Sequence, residues 1–279
     1  MDSHKHTAVS IRARKRVGPK IAVLTAYDAT MAQLLDEGGV DILLVGDSLA
    51  TVIQGNTTTL SVTLEQMCYH SRAVFRGARR AQVVCDMPFL SFQVSPARAL
   101  EAAGRLVQEG LCEAVKLEGG EVVAEQIRRI VGAGIPVMAH VGLLPQSVHA
   151  MGGYRVQGRT AESASRILRD AKTVEEAGAY AVVLEGIPQS LAAEVTEAIS
   201  IPTIGIGAGP HCDGQVLVSY DFLGLYREAQ GRFVKRFAEL GQAVVEAAQT
   251  YVAEVRLGEF PGPEHSYGPG GTADRGEGQ

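Results

Sequence analysis

The run GVDILLVGD, Gly39 to Asp47, is apolar almost throughout and closes on a carboxylate. Three further runs repeat the pattern: QVVCD ends at Asp86, AVKLE at Glu118 and YAVVLE at Glu185. Short continuous apolar runs read as strands buried on both faces, the situation in a parallel sheet covered by helices. Parallel α/β folds gather their chemistry at the carboxyl ends of such strands. Acids brought to one point repel each other unless a cation stands between them. The four runs therefore point to an enzyme with a hard divalent metal at the mouth of a barrel.

Along the whole chain the apolar runs number eight: Lys20 to Tyr27, Val40 to Ser48, Gln82 to Phe89, Ala114 to Gly119, Pro136 to Leu143, Tyr180 to Gly186, Pro202 to Gly209 and Gly214 to Tyr220. Helical spacing fills the gaps, over Asp28 to Glu37, Leu64 to Arg76, Ser95 to Glu109, Glu121 to Val131, Ala161 to Ala177 and Gln189 to Ile199. Gly38, Gly77, Gly110, Gly132 and Gly178 fall at or just past helix ends, where left-handed caps are expected. The seventh and eighth runs are so close that any helix between them is very short. A long helix, Arg232 to Glu254, is expected to close the fold.

This alternation predicts a single (β/α)8 TIM barrel over residues 20–257. A solvated lead-in, residues 1–19, precedes it. A Gly/Pro-rich tail, 258–279, follows, with its last dozen residues expected to be disordered. The competing fold, an open doubly wound sheet, brings a G-x-G-x-x-G after an early strand, and none stands there. Leu143 to Arg159 is long, polar and Gly-rich, and suits a lid over the mouth.

At 279 residues, 46% hydrophobic and 20% charged, the chain has the composition of a globular protein. A net charge of -5 gives no reason to expect nucleic acid or an anionic membrane as partner. No apolar run reaches about 18 residues, so no membrane span is expected. The start, MDSHKHTAVSIRARKR, lacks the apolar region of a secretory signal, and a cytoplasmic location is the expectation. Its basic cluster reads as a nucleic-acid arm or, more simply, as solvated lead-in. Cys68, Cys85, Cys112 and Cys212 show no C-x-x-C spacing, which fits reduced thiols rather than a zinc ribbon.

Asp47, Asp86 and Glu118 end neighbouring strands and are the candidate metal ligands. Mg²⁺ takes about six oxygens and usually keeps waters or substrate oxygens beside one or two carboxylates. One or two direct ligands with a third linked through water would suit it. The alternative for each acid is that it merely caps the helix that follows. Lys116 shares a strand face with Glu118 and reads either as a clamp on a substrate anion or as an internal ion pair with Glu118. Glu185, across the mouth, is placed to act as general base or as a hydrogen-bond partner. His140 ends the fifth run and is either a core histidine or an orienting partner of the metal site. The glycines of GIGAG, Gly205 to Gly209, suit a phosphate cradle or any close backbone approach. Ser48 follows Asp47 and can hold a carboxylate.

At these residues the chain resembles the ketopantoate hydroxymethyltransferase family. The resemblance runs through LTAYD, VGDSLATVIQG, TTTLSVTLEQMCYH, CDMPF, AVKLEGG, PVMAHVGLLPQ, GGYRVQGR, VLEGIP and IGIGAGPHCDGQVLVSYDFLG to FVKRFAEL and FPGPEHSY, about Ser10 to Tyr267. It implies a (β/α)8 barrel that transfers the carbon of methylene-tetrahydrofolate to 2-oxoisovalerate, giving 2-dehydropantoate for pantothenate synthesis. By motif it implies Mg²⁺ as cofactor and Asp47, Asp86 and Glu118 on the metal side. Asp47, Ser48, Asp86 and Lys116 would contact substrate, and Glu185 would accept the proton. It also implies a homo-oligomer, a decamer. The alternative is a barrel of the phosphoenolpyruvate mutase and isocitrate lyase type, which also stabilises enolates at this mouth but needs no folate.

Overall fold

In the computed structural model, which describes residues 4–227 and 231–267, eight parallel strands close into a barrel in sequence order. They are β1 (Ile21–Thr25), β2 (Ile42–Val45), β3 (Gln82–Asp86), β4 (Ala114–Glu118), β5 (Val137–Gly142), β6 (Ala181–Glu185), β7 (Thr203–Ile206) and β8 (Gly214–Leu217), with β8 pairing back to β1. Each lies inside one predicted run. The helices are α1 (Ala8–Arg12), α2 (Ala29–Glu37), α3 (Leu49–Val52), α4 (Leu64–Gly77), α5 (Pro96–Gln108), α6 (Ala124–Gly132), α7 (Ala161–Glu176), α8 (Gln189–Ala198), α9 (Ser219–Phe222) and α10 (Leu240–Leu257). Their starts follow local chemistry. Ser95 caps α5 by accepting from the Arg98 N–H, with Pro96 in the first turn. Thr63 and Gln66 close a reciprocal box at α4.

The period of two along each strand sorts the residues. Leu43, Val45, Val83, Cys85, Val115, Leu117, Val182 and Leu184 point outward and pack under the helices. Ile21, Val23, Ile42, Leu44, Val84, Ala114, Met138, Ala181, Val183, Ile204 and Val216 fill the interior. The same parity carries upward, from Val84 to Asp86, from Ala114 to Lys116 and Glu118, from Met138 to His140, and from Val183 to Glu185. The polar residues are the top inward layer above an apolar plug.

Three expectations are corrected. The lead-in is not simply solvated: Ile11 on α1 is fully buried and joins the interior cluster. Its basic residues are tied to the barrel floor, Lys15 to Asp213 at 2.8 Å and Arg14 to Asp41. The closing helix begins at Leu240 rather than Arg232. Phe237 donates its N–H to the Phe222 carbonyl and its ring lies 4.9 Å from that of Phe222, so the preceding segment straps α9 instead of coiling. Of the five glycines assigned to left-handed caps, only Gly178 is left-handed (φ 103°), and Gly39, Leu111 and Gly134 take that role at three of the other four turns. Gly77 is needed for room: a Cβ there would lie 2.1 Å from the Ala29 carbonyl oxygen, where α2 and α4 meet. The tail is structured as far as described, with Gly258 as a left-handed cap and Phe260 against Tyr251. The dozen residues expected to be disordered lie outside the described residues.

No helix among the described residues is long and apolar enough to cross a membrane. All four cysteines are buried and free. The outer faces of β1 and β8 are only partly covered, and α10 buries a single residue, Gly241, leaving Val244, Tyr251, Val255 and Leu257 in solvent.

If Ile11 plugs the barrel floor, Ile11→Ala should cost about 2–4 kcal/mol, as for other large-to-small core changes. The denaturation midpoint should fall at an unchanged slope. A change within about 0.5 kcal/mol, as on a surface, would return the segment to a solvated lead-in.

Candidate active site

All seven residues singled out from the sequence, Asp47, Ser48, Asp86, Lys116, Glu118, His140 and Glu185, line one cavity of about 70 Å³ at the carboxyl ends of the strands. Asp86, Glu118 and Glu185 are the last residues of β3, β4 and β6. Asp47 differs, since it lies two residues beyond β2, in the turn to α3. Gly46 takes the next inward position above Leu44. A Cβ there would come within 2.7 Å of Ser48 Oγ and 3.7 Å of Asp86 Oδ2, so glycine lets the turn fold over the acid.

The register of β3 and β4 sets Asp86 beside Lys116. Lys116 Nζ donates to Asp86 Oδ1 at 2.6 Å, and both side chains are almost fully buried. The ion pair anticipated with Glu118 is thus made with Asp86. Burial by itself would lower the Lys116 ammonium; Asp86, Glu118 and Asp47 outweigh it and hold the group above its ordinary value. Asp86 Oδ2 accepts the Asp47 N–H at 3.0 Å, which fixes the turn after β2. Both oxygens of Asp86 are therefore engaged.

Asp47 is pushed up to about 7, first by burial and then by the charge of Asp86, with Lys116 and Gln146 pulling the other way. Glu118 is raised well above the usual carboxylate range by burial and by Asp47. These two acids resist ionising together without added positive charge. His140, fully inside, is held below its ordinary value by burial and by Lys116, which favours the neutral imidazole. Its Nε2 lies 3.2 Å from Glu185 Oε2, within reach but out of hydrogen-bonding alignment, and its Nδ1 lies 3.6 Å from Glu118 Oε1. His140 thus stands between the two glutamates, and Glu185 is less isolated than its strand position implied. Ser48 Oγ pairs with the Tyr27 hydroxyl at 2.8 Å.

One central residue carried no signal in the sequence. Gln146 sits in a 3-10 turn, Pro145–Ser147, at the start of the long loop after β5, and is 5% exposed. It reaches Asp47, Glu118 and Met87 at once. The loop returns to the mouth where the Gln157 N–H meets the Gly186 carbonyl at 2.8 Å. Between these anchors Tyr154 lies on the mouth side: its phenol is raised by partial burial and by Asp47, Glu185 and Glu118.

The GIGAG turn is close-packed. A Cβ on Gly209 would meet Gln189 Cβ at 2.4 Å, and one on Gly207 would meet the Phe233 ring at 3.0 Å. A wider hollow beside it, about 480 Å³, has Lys20 as its one charged side chain among the described residues, and that ammonium is taken by the Pro210 and Cys212 carbonyls. Asp213, unassigned from the sequence, belongs to the floor of the barrel. Gln215 donates to the Gly209 carbonyl.

Comparison with known proteins identifies the family. The ketopantoate hydroxymethyltransferase family model matches residues 5–263. The 3-methyl-2-oxobutanoate hydroxymethyltransferase of Geobacter metallireducens is 54% identical over 265 residues, covering 95% of this chain and 99% of its own length. That of Trichlorobacter lovleyi is 56% identical over 263 residues, covering 94% and 98%. Among solved structures, a putative phosphonomutase from Burkholderia cenocepacia superposes with a TM-score of 0.61 at 15% identity, covering 90% of this chain and 98% of that one. A 2,3-dimethylmalate lyase of the PEP mutase/isocitrate lyase superfamily gives 0.57 at 18% identity, covering 94% and 92%. At such identities the likeness concerns the barrel alone. With the family model spanning nearly the whole chain, and relatives above half identity along it, the chain belongs to the ketopantoate hydroxymethyltransferase family.

Proposed function

We propose that the chain transfers a one-carbon unit from methylene-tetrahydrofolate to 3-methyl-2-oxobutanoate, giving 2-dehydropantoate in pantothenate synthesis, with Mg²⁺ as cofactor. The observation that carries this reading is the convergence of Asp47, Asp86, Glu118, Lys116 and Glu185 on one cavity in a chain of this family.

The donor set suits a hard cation held by few carboxylates. Among the described residues no three His, Cys, Asp or Glu side chains stand in ligating range of one point. Asp47 and Asp86 are adjacent, and Glu118 is joined to them through Gln146. That arrangement fits Mg²⁺ on one or two carboxylates, with water or substrate oxygens completing the shell. The reluctance of Asp47 and Glu118 to ionise together is what a dication would relieve. When bound, the cation draws charge from the keto group and acidifies the neighbouring carbon.

The chain's own residues supply the rest. Ser48 and the Lys116 ammonium face the cavity and can hold the substrate carboxylate and offset the charge that develops on deprotonation. Glu185 takes the proton from the carbon next to the keto group, with His140 Nε2 3.2 Å from its carboxylate. The enolate then forms a C–C bond to the methylene carbon as one of that carbon's two bonds to folate nitrogen breaks. Water replaces the second: its oxygen becomes the product hydroxyl, and its proton and the one taken by Glu185 pass to the two nitrogens as tetrahydrofolate leaves. The loop Leu143 to Arg159 limits solvent entry and with it premature protonation.

The same reading carries a cytoplasmic enzyme assembled from copies of itself. Support for self-association is the apolar stripe of α10 and the thinly covered faces of β1 and β8.

Incubating the protein with the oxo acid, methylene-tetrahydrofolate and Mg²⁺ should yield 2-dehydropantoate by mass spectrometry. No product, with turnover of isocitrate or a phosphonate instead, would overturn the proposal. Glu185→Gln should lower kcat by roughly 10²-fold or more, the usual size of a lost general base. An unchanged rate would remove Glu185 from that role.

Asp47 ties the cation to stability. Burial and then Asp86 push its carboxyl up to about 7, above the ordinary carboxylate range, so the metal-free fold retains a proton that the unfolded chain has lost. Its contribution therefore weakens as pH rises from about 4 through 7. A cation that needs the ionised carboxylate should raise Tm more at pH 8 than at pH 5. Equal shifts at both pH values would take Asp47 out of the cation site.

A further inference from the structure

Gln146 is a neutral side chain set among acids, and its bonding leaves the amide one orientation. Nε2 donates to Asp47 Oδ2 at 2.9 Å and to the Met87 carbonyl at 2.9 Å, while Oε1 accepts from Gln93 Nε2 at 3.0 Å. Turned over, the amide would set its oxygen against a carboxylate and a carbonyl, and its NH₂ against the Gln93 donor. The main-chain N–H of Gln146 donates separately to Glu118 Oε2 at 3.0 Å. One residue of the β5 loop thus holds acids delivered by β2 and β4, which are not neighbours in the barrel. With Oδ2 engaged, the other oxygen of Asp47 accepts no hydrogen bond among the described residues, and Asp47 lines the cavity.

We infer that Gln146 is a positioning residue for the proposed reaction: it orients the Asp47 carboxylate toward a divalent cation and ties the loop after β5 to that acid. The inference rests on the proposed cation site and adds to it a group outside the carboxylate cluster. A side chain that orients a ligand without touching the metal typically alters affinity or activity 10- to 100-fold. Gln146 does so from a loop, so the arrangement of the mouth depends on where that loop sits. Gln93, exposed on the far side, orients Gln146 in turn and touches none of the acids.

The test is Mn²⁺ binding to the full-length protein, followed by electron paramagnetic resonance, with kcat/KM and Tm measured alongside. Gln146→Leu keeps the volume and the main-chain bond to Glu118 but removes the donor to Asp47. Mn²⁺ affinity and kcat/KM should each fall roughly 10- to 100-fold while Tm changes little. Gln93→Ala, at an exposed position, should lower both by roughly 3- to 10-fold through loss of orientation alone. Wild-type Mn²⁺ affinity and kcat/KM in folded Gln146→Leu would overturn the inference. If that variant fails to fold, unchanged values in Gln93→Ala would do so. Wild-type protein that turns over without binding Mn²⁺ would sink the cation reading, and the kcat/KM of the two variants would then decide the role of Gln146.

Discussion

The Lys116 ammonium sits inside the barrel, and the mouth is arranged around it. An unpaired charge there would cost several kcal/mol in lost hydration. Asp86 meets it at 2.6 Å and then uses its second oxygen to hold the Asp47 N–H. That second bond holds the turn after β2, where Asp47 lines the cavity, a path that Gly46 leaves open. Glu118 enters from the same strand as Lys116 and is held by the Gln146 N–H. A buried cation thus explains why acids can be buried beside it, and the acids explain why the cation stays charged. Remove Lys116 and the mouth becomes a set of carboxylates with no internal counter-charge among these partners.

What the sequence revealed of this follows from the period of two. An acid at the end of an apolar run in a parallel strand has one of two faces, and in Glu118 and Lys116 the i, i+2 relation was visible directly. The partner of Lys116 was not visible, because Asp86 and Lys116 meet through the β3–β4 register, and no spacing along the chain encodes that register. Gln146 was illegible for a related reason. A polar residue after proline in an irregular loop has no periodicity to mark it, and only its contacts with two non-adjacent strands give it meaning.

The same limit applies to the fold. Eight apolar runs and their intervening helices were enough for the barrel, since burial on both faces of a parallel strand leaves a strong local pattern. The ends of the chain were harder. Ile11 is one apolar residue among basic ones, and its burial depends on the open floor of a barrel formed by residues far away in sequence. The stretch before Leu240 has residues fit for a helix, but the Phe222–Phe237 contact and the Phe237 N–H bond outweigh that weak preference. Gly77 looked like a cap by position, whereas its lack of a side chain serves the contact with Ala29.

The proposed division of the four acids into a metal-side group and a separate base needs one amendment, and His140 supplies it. A neutral imidazole has one donor and one acceptor, so it cannot donate to Glu118 and Glu185 together. The distances favour Glu185, 3.2 Å against 3.6 Å. Glu118 is buried, raised and held by a main-chain N–H, whereas Glu185 keeps 17% of its side chain open. The more exposed acid is the one that can meet a substrate proton, and the deeper one is fixed in place. A neutral ring between them also avoids adding a second buried charge beside Lys116. In the proposed mechanism the proton acceptor, Glu185, therefore stands one imidazole away from the Glu118 side of the acid cluster.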